Sequence, residues 1–116
     1  MATENRKDTE NAGAMSLCLT TRKIWDDKEP VRYMYREEPD NNLDSGWRFL
    51  AGTETNRYMN DPDNSIRVKT ESVAALDSAI SPYLEAPFNT EFERQEGKEE
   101  FKQINSGLFD EENKDL

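Results

Sequence analysis

Side-chain oxygens at alternate positions are the first features of this 116-residue chain with the makings of chemistry. Asp40-Asn41-Asn42-Leu43-Asp44 and Asp61-Pro62-Asp63-Asn64-Ser65 both carry the spacing from which calcium loops are built. A loop of the EF-hand kind also needs glycine at its sixth position, for a sharp turn, and a two-oxygen glutamate at its twelfth. Those places hold Ser45 and Ala51 in the first stretch and Ile66 and Ser72 in the second, so neither closes around the ion. Glu37 and Glu38 are a carboxylate pair of the type used for acid and base work. That work needs a pocket driving the two pKa values apart, and adjacent residues in a solvated loop lack one. The chain has no histidine and one cysteine, Cys18. Zinc ligation and an activated nucleophile are therefore poorly served, and no glycine-rich phosphate loop is present. The residues point to no enzyme, no cofactor and no metal, and leave binding as the function to be explained.

The acidic residues sit in the stretch that must organise the chain, VRYMYREEPDNNLDSGWRFLAG from Val31 to Gly52. Val31, Tyr33 and Tyr35 alternate with Arg32, Met34 and Arg36, and Trp47, Phe49 and Ala51 alternate with Arg48 and Leu50, the period-two pattern of strands. An antiparallel hairpin is expected, with Gly46 and Gly52 bracketing its second strand and Tyr33 and Tyr35 lying near Trp47 and Phe49. Arg36 and Arg48 are expected to brace the loop through Glu37, Asp44 or Glu93.

The charge agrees with a binding role. The net charge is -10, which disfavours nucleic acid and anionic membranes and favours a basic protein partner. From Met15 to Arg94 the excess is -5, and all of it lies in Glu37 to Asp63, where seven acids meet only Arg48 and Arg57. A lone cysteine suits a reducing compartment, and no apolar run approaches the length of a membrane span, so a cytoplasmic protein is expected.

Along the chain, Met1 to Ala14 lacks apolar periodicity and reads as a disordered tail. Met15 to Thr21 reads as a first strand, expected to pair with the Val31 strand, and Trp25 stands in the polar connection between them as a second contact residue. Tyr58 and Met59 suggest a helical turn, and Ile66 and Val68 a short edge strand. Val73, Leu76 and Ile80 mark one face of a helix over Thr70 to Ile80, capped by Thr70 or Ser72 and stopped by Pro82. Tyr83, Leu84, Phe88 and Phe92 extend the apolar supply in an irregular segment. Residues 95–116 read as an acidic extension, with Phe101, Ile104 and Leu108 hinting at a weak helix. The expected fold is α+β: an antiparallel sheet of about four or five strands with one main helix packed on it, over residues 15–94.

YMYREEPDNNLDSGWRFLAG, YMNDPDNSI from Tyr58 and SPYLEAPFNTEFER from Ser81 together resemble the immunity protein thirty-three-like domains of bacterial polymorphic toxin systems, once a domain of unknown function. The resemblance covers about Met15 to Arg94, and Tyr33, Tyr35, Arg36, Gly46, Trp47, Arg48, Phe49 and Arg94 are its structural residues. It implies that the partner is a cognate toxin. Glu37, Glu38, Asp40, Asp44, Asp61 and Asp63 are then expected to form one acidic surface for a basic toxin site, such as a nuclease domain. The alternatives are a regulatory or scaffolding domain that uses the hydrophobic side of the sheet, and a carboxylate-based metal-assisted enzyme.

Overall fold

The structure, a computed structural model, describes residues 16–110. The expected tail at 1–14 lies outside the described residues. Six strands form one sheet: β1 (Leu17–Thr21), β2 (Tyr33–Arg36), β3 (Asp44–Leu50), β4 (Ser65–Lys69), β5 (Thr90–Arg94) and β6 (Phe101–Ile104), in the spatial order β4-β1-β3-β2-β5-β6. Three short helices, α1 (Arg22–Trp25), α2 (Asn56–Met59) and α3 (Thr70–Leu76), and 3-10 turns at Pro62–Asn64 and Ser78–Tyr83 complete it.

The expectation of four or five antiparallel strands under one main helix is wrong in three ways. First, the sheet is mixed: β1 runs parallel to β3 and antiparallel to β4, and it does not pair with β2. The connection from Arg22 to Arg32 carries the chain past a vacant position, and β3 fills it after forming its hairpin with β2. Second, β5 and β6 add a hairpin in chain expected to be irregular or weakly helical. Third, the helix stops at Leu76, because Asp77 is extended (φ -144, ψ 92) and the chain continues in the 3-10 turn that contains Pro82. Its N-cap is Lys69, with no side-chain cap bond, and the Thr70 hydroxyl donates to Ser45 Oγ instead (3.2 Å). Three other readings hold: the β2–β3 hairpin is antiparallel, Asn56–Met59 is helical, and β4 is an edge strand.

The register places Tyr33 opposite Leu50, Met34 opposite Phe49, Tyr35 opposite Arg48 and Arg36 opposite Trp47. Paired residues share a face, and side chains alternate faces along each strand. Trp47 and Phe49 therefore point into the core, stacked at 5.7 Å between ring centroids, whereas Tyr33 and Tyr35 stand on the opposite face, also 5.7 Å apart. The expected meeting of the two tyrosines with Trp47 and Phe49 does not occur. The core side gathers Cys18, Met34, Trp47, Phe49, Phe92 and Phe101 from the sheet, and Ile24, Val73 and Ile80 from the helices and turn that cover it. Burying side chains of this size contributes about 1.5–3 kcal/mol each.

Two polar ties fix that layer to the sheet. The Asp77 carboxylate accepts from the Val31 amide (3.0 Å) and from Arg94 Nη1 (2.8 Å). Arg36 lies on the core side, so it does not brace the acidic loop. Its guanidinium donates to the carbonyls of Ser45 (2.8 Å) and Ala86 (2.7 Å), between the rings of Trp47 and Phe88.

Candidate partner-binding surface

The acidic loop, Glu37 to Leu43, joins β2 to β3 and is shaped from beneath by Arg48. Arg48 projects from β3 on the face away from the core yet is almost inaccessible, its side chain only 5% exposed. Its Nη1 and Nη2 donate to the two oxygens of Asp44 at 2.9 and 2.8 Å, and its Nε donates to Glu37 Oε2 at 2.6 Å. The Asp44 carboxylate also accepts from the amides of Asp40 and Gly46, each at 2.9 Å. Burial pushes this carboxyl's pKa up, but the bonds from Arg48 and the two amides outweigh that and hold it well below the usual carboxylate range.

Gly46 is required at the base of the loop. Its φ is +87°, and a Cβ there would run into the carbonyl of Glu37, whose amide bonds back to the Gly46 carbonyl at 2.9 Å. The loop is tied at its other end too, where the Leu17 amide donates to the Leu43 carbonyl at 2.8 Å.

The six expected contact acids are not all together. Glu37 and Asp40 are exposed at the loop, at 43% and 67% of their side-chain surface, and Glu38 is exposed beside them. Asp44 is buried and bonded to Arg48, beneath the exposed rim and not part of it. Asp61 and Asp63 lie at the other end of the sheet. The chain enters β4 at Ser65, opposite Thr21, whereas the acidic loop meets Leu17 at the start of β1. Strand β3, seven residues long, separates these two ends, a span of about 20 Å. Trp25 belongs with Asp61 and Asp63, because α1 follows Thr21 directly and Arg22 Nε donates to the Asp63 carbonyl at 2.7 Å. It is half-buried, with Lys28 Nζ 5.8 Å from its ring centroid.

Residues that sequence reasoning missed complete the loop's surroundings. The segment after β6 folds onto the face bearing Tyr35: Ser106 donates from its amide (2.9 Å) and its hydroxyl (2.8 Å) to the buried carboxylate of Glu91, which also accepts from the Tyr33 hydroxyl (2.8 Å). Phe109 then meets Tyr35 edge-on at 6.1 Å. A groove of about 430 Å³ runs between Glu37 and Glu38 on one side and Leu108 and Phe109 on the other. Only the apolar spacing of Phe101, Ile104 and Leu108 signalled that this end of the chain takes part.

Among the described residues no group of three or more His, Cys, Asp or Glu side chains is placed to hold a metal ion. Cys18 is buried, and burial pushes its thiol up to about 12. No helix among the described residues is long and apolar enough to cross a membrane.

Comparison with known proteins agrees with what the residues suggested. No curated protein and no solved structure matches the chain. The family model described as the Immunity protein Imm33 domain matches residues 18–105, from the second residue of β1 to the residue after β6. That span holds all of the sheet but Leu17, the braced loop and all three helices, and the chain belongs to the Imm33 immunity protein family.

Proposed function

We propose that the protein is a cytoplasmic immunity protein that neutralises a cognate toxin by binding it, and that the exposed carboxylates of Glu37, Glu38 and Asp40 meet a basic patch on the toxin, such as the phosphate-binding site of a nuclease. Family membership supplies the immunity role. The observation that carries the choice of surface is the position of Arg48. It is the one cation among the groups that shape the loop, yet it is buried beneath the loop and bound to Asp44 and Glu37, so it fixes the geometry while the exposed rim stays negative. A loop braced in this way loses little freedom on binding, and its charge steers association in a salt-dependent manner.

The reading is tested first by the neighbouring gene, which should encode a toxin domain, and then with that domain as the partner. The two proteins should co-purify, and Glu37→Lys with Glu38→Lys should slow association at low salt by about tenfold or more, as expected where steering operates. An association rate equal to wild type would remove the loop from the mechanism.

A further inference from the structure

The turn after β6 gives the acidic loop an apolar neighbour. Ser106 is anchored to the Glu91 carboxylate, the Asp110 amide closes the turn on the Gly107 carbonyl (3.2 Å), and Phe109 rests against Tyr35. Leu108 is held between these ties and is still 42% exposed. A lone exposed leucine means little. This one, with Phe109 beside it, stands across the groove of about 430 Å³ from Glu37 and Glu38, and Asn89 completes the lining. The Asn89 amide donates to the carbonyl of Arg36, the residue before Glu37, which ties the floor of the groove to the root of the loop.

The groove has no counter-charge of its own. Among the described residues no Lys or Arg lines it, and Glu38 has no ion pair, while Glu37 gives only Oε2 to Arg48. The cations around it are engaged or distant. Arg48 is buried beneath Glu37, and Arg36 is on the core side, bonded to the carbonyls of Ser45 and Ala86. Lys102 stands by register beside Glu93, at the far end of β5 from Asn89. Lys69 is at the loop's end of the sheet but on β4, three strand spacings or about 14 Å from β2. Residues 111–116, EENKDL, set three acids against Lys114, so the chain's own end is a poor match for an acidic wall. One wall of the groove thus suits a positive charge and the other suits methylenes. Those are the two parts of an arginine or lysine side chain, whose stem packs on apolar surface while its head stays in a polar setting.

We propose that this groove is a socket for one long cationic side chain of the toxin, its stem against Leu108 and Phe109 and its head at Glu38 and Glu37. The proposal rests on the immunity reading above and deepens it, because it makes the turn after β6 one half of the contact and concentrates the acidic rim on a single residue of the partner.

The test uses the full chain and the toxin domain of the neighbouring gene, with dissociation followed for Leu108→Ser, Glu38→Gln and the two combined. Each single change should speed dissociation about fivefold or more. Both act through the same bound side chain, so the combined effect should fall clearly short of the product of the two. Leu76→Ser, at a leucine of α3 that is also 42% exposed, should change nothing. If serine at position 108 lowers the melting temperature, Leu108→Gln takes its place, with the same direction expected. Wild-type dissociation for the Leu108 variants, with Glu37→Lys and Glu38→Lys together still slow to associate, would overturn the socket and leave the loop reading standing. A combined effect equal to the product would mean two separate contacts and would overturn it as well. If the wild-type chain does not bind the toxin at all, both readings fall. If the chain alone is a dimer that Leu108→Ser converts to monomer, or if Lys114→Ala lowers its melting temperature, the groove is filled by this chain itself and the proposal is overturned.

Discussion

Arg48 and Asp44 face each other four residues apart on one strand, with Nη1 donating to Oδ1 at 2.9 Å, Nη2 to Oδ2 at 2.8 Å and both side chains nearly inaccessible. The geometry is two-pronged, and the remaining carboxylate capacity is taken by the Asp40 and Gly46 amides. Removing one partner of such a buried pair strands the other without solvent or counter-charge. Arg48→Met should therefore lower stability by about 3–5 kcal/mol, measured by equilibrium urea unfolding. A loss below about 1 kcal/mol would show that the loop holds its shape without the pair.

The same carboxylate sets a pH dependence. Its pKa is lower folded than unfolded, where it is about 3.9. Its contribution is therefore present above about pH 4 and is lost as the pH falls below that toward the folded value. The stability gap between wild type and Asp44→Asn should be constant near neutrality and shrink below about pH 4. A gap unchanged down to acid unfolding would contradict the assignment.

Gly46→Ala tests the base of the loop. The left-handed backbone costs a side-chain-bearing residue about 1–2 kcal/mol, and the clash with the Glu37 carbonyl adds to it. A total loss of about 2–3 kcal/mol is expected, seen as a melting temperature lower by roughly 10–20 °C. Gly97→Ala is the control, because its φ is also positive while nothing stands near its missing Cβ, so it should cost only the backbone part.

Cys18 should be inert in the native protein. Burial pushes its thiol up to about 12, so at mildly alkaline pH an aromatic disulfide reagent should react at a rate set by unfolding and become fast in denaturant. Immediate stoichiometric reaction without denaturant would mean that β1 opens readily.

Asp63 provides a negative control for the toxin contact. It is exposed but at the far end of the sheet from Glu37, about 20 Å away and beyond roughly two Debye lengths at physiological salt. Asp63→Lys should leave the association rate at physiological salt unchanged while Glu37→Lys with Glu38→Lys lowers it. Equal effects would place the toxin across both ends.

What the sequence made legible was local. The period-two alternation of Tyr33 to Arg36 and Trp47 to Leu50, and the turn-rich acidic stretch between them, revealed the hairpin and its loop. The insertion of β3 between β1 and β2 is a long-range choice on which alternation is silent. β5 was hidden because its sequence, TEFER, carries one apolar residue, and its acid Glu91, on the face away from the core, is buried by virtue of Tyr33 and Ser106, which only folding brings near. β6 was hidden because Phe101 and Ile104 are three apart, a spacing that suits a helix as well as the two ends of a four-residue strand. The acids were grouped by proximity along the chain, and β3 then carried Asp61 and Asp63 to the opposite end.

The placement of β1 has a consequence for synthesis. Among the described residues β1 is the earliest strand in the sequence and an interior one, and its two neighbours follow at different times, β3 by Leu50 and β4 by Lys69. Its β3 side can be satisfied before half of the 116 residues are made, whereas its other side waits until more than half are out. During that interval β1 is an open edge of the nascent sheet, with unpaired backbone groups that another chain could pair with.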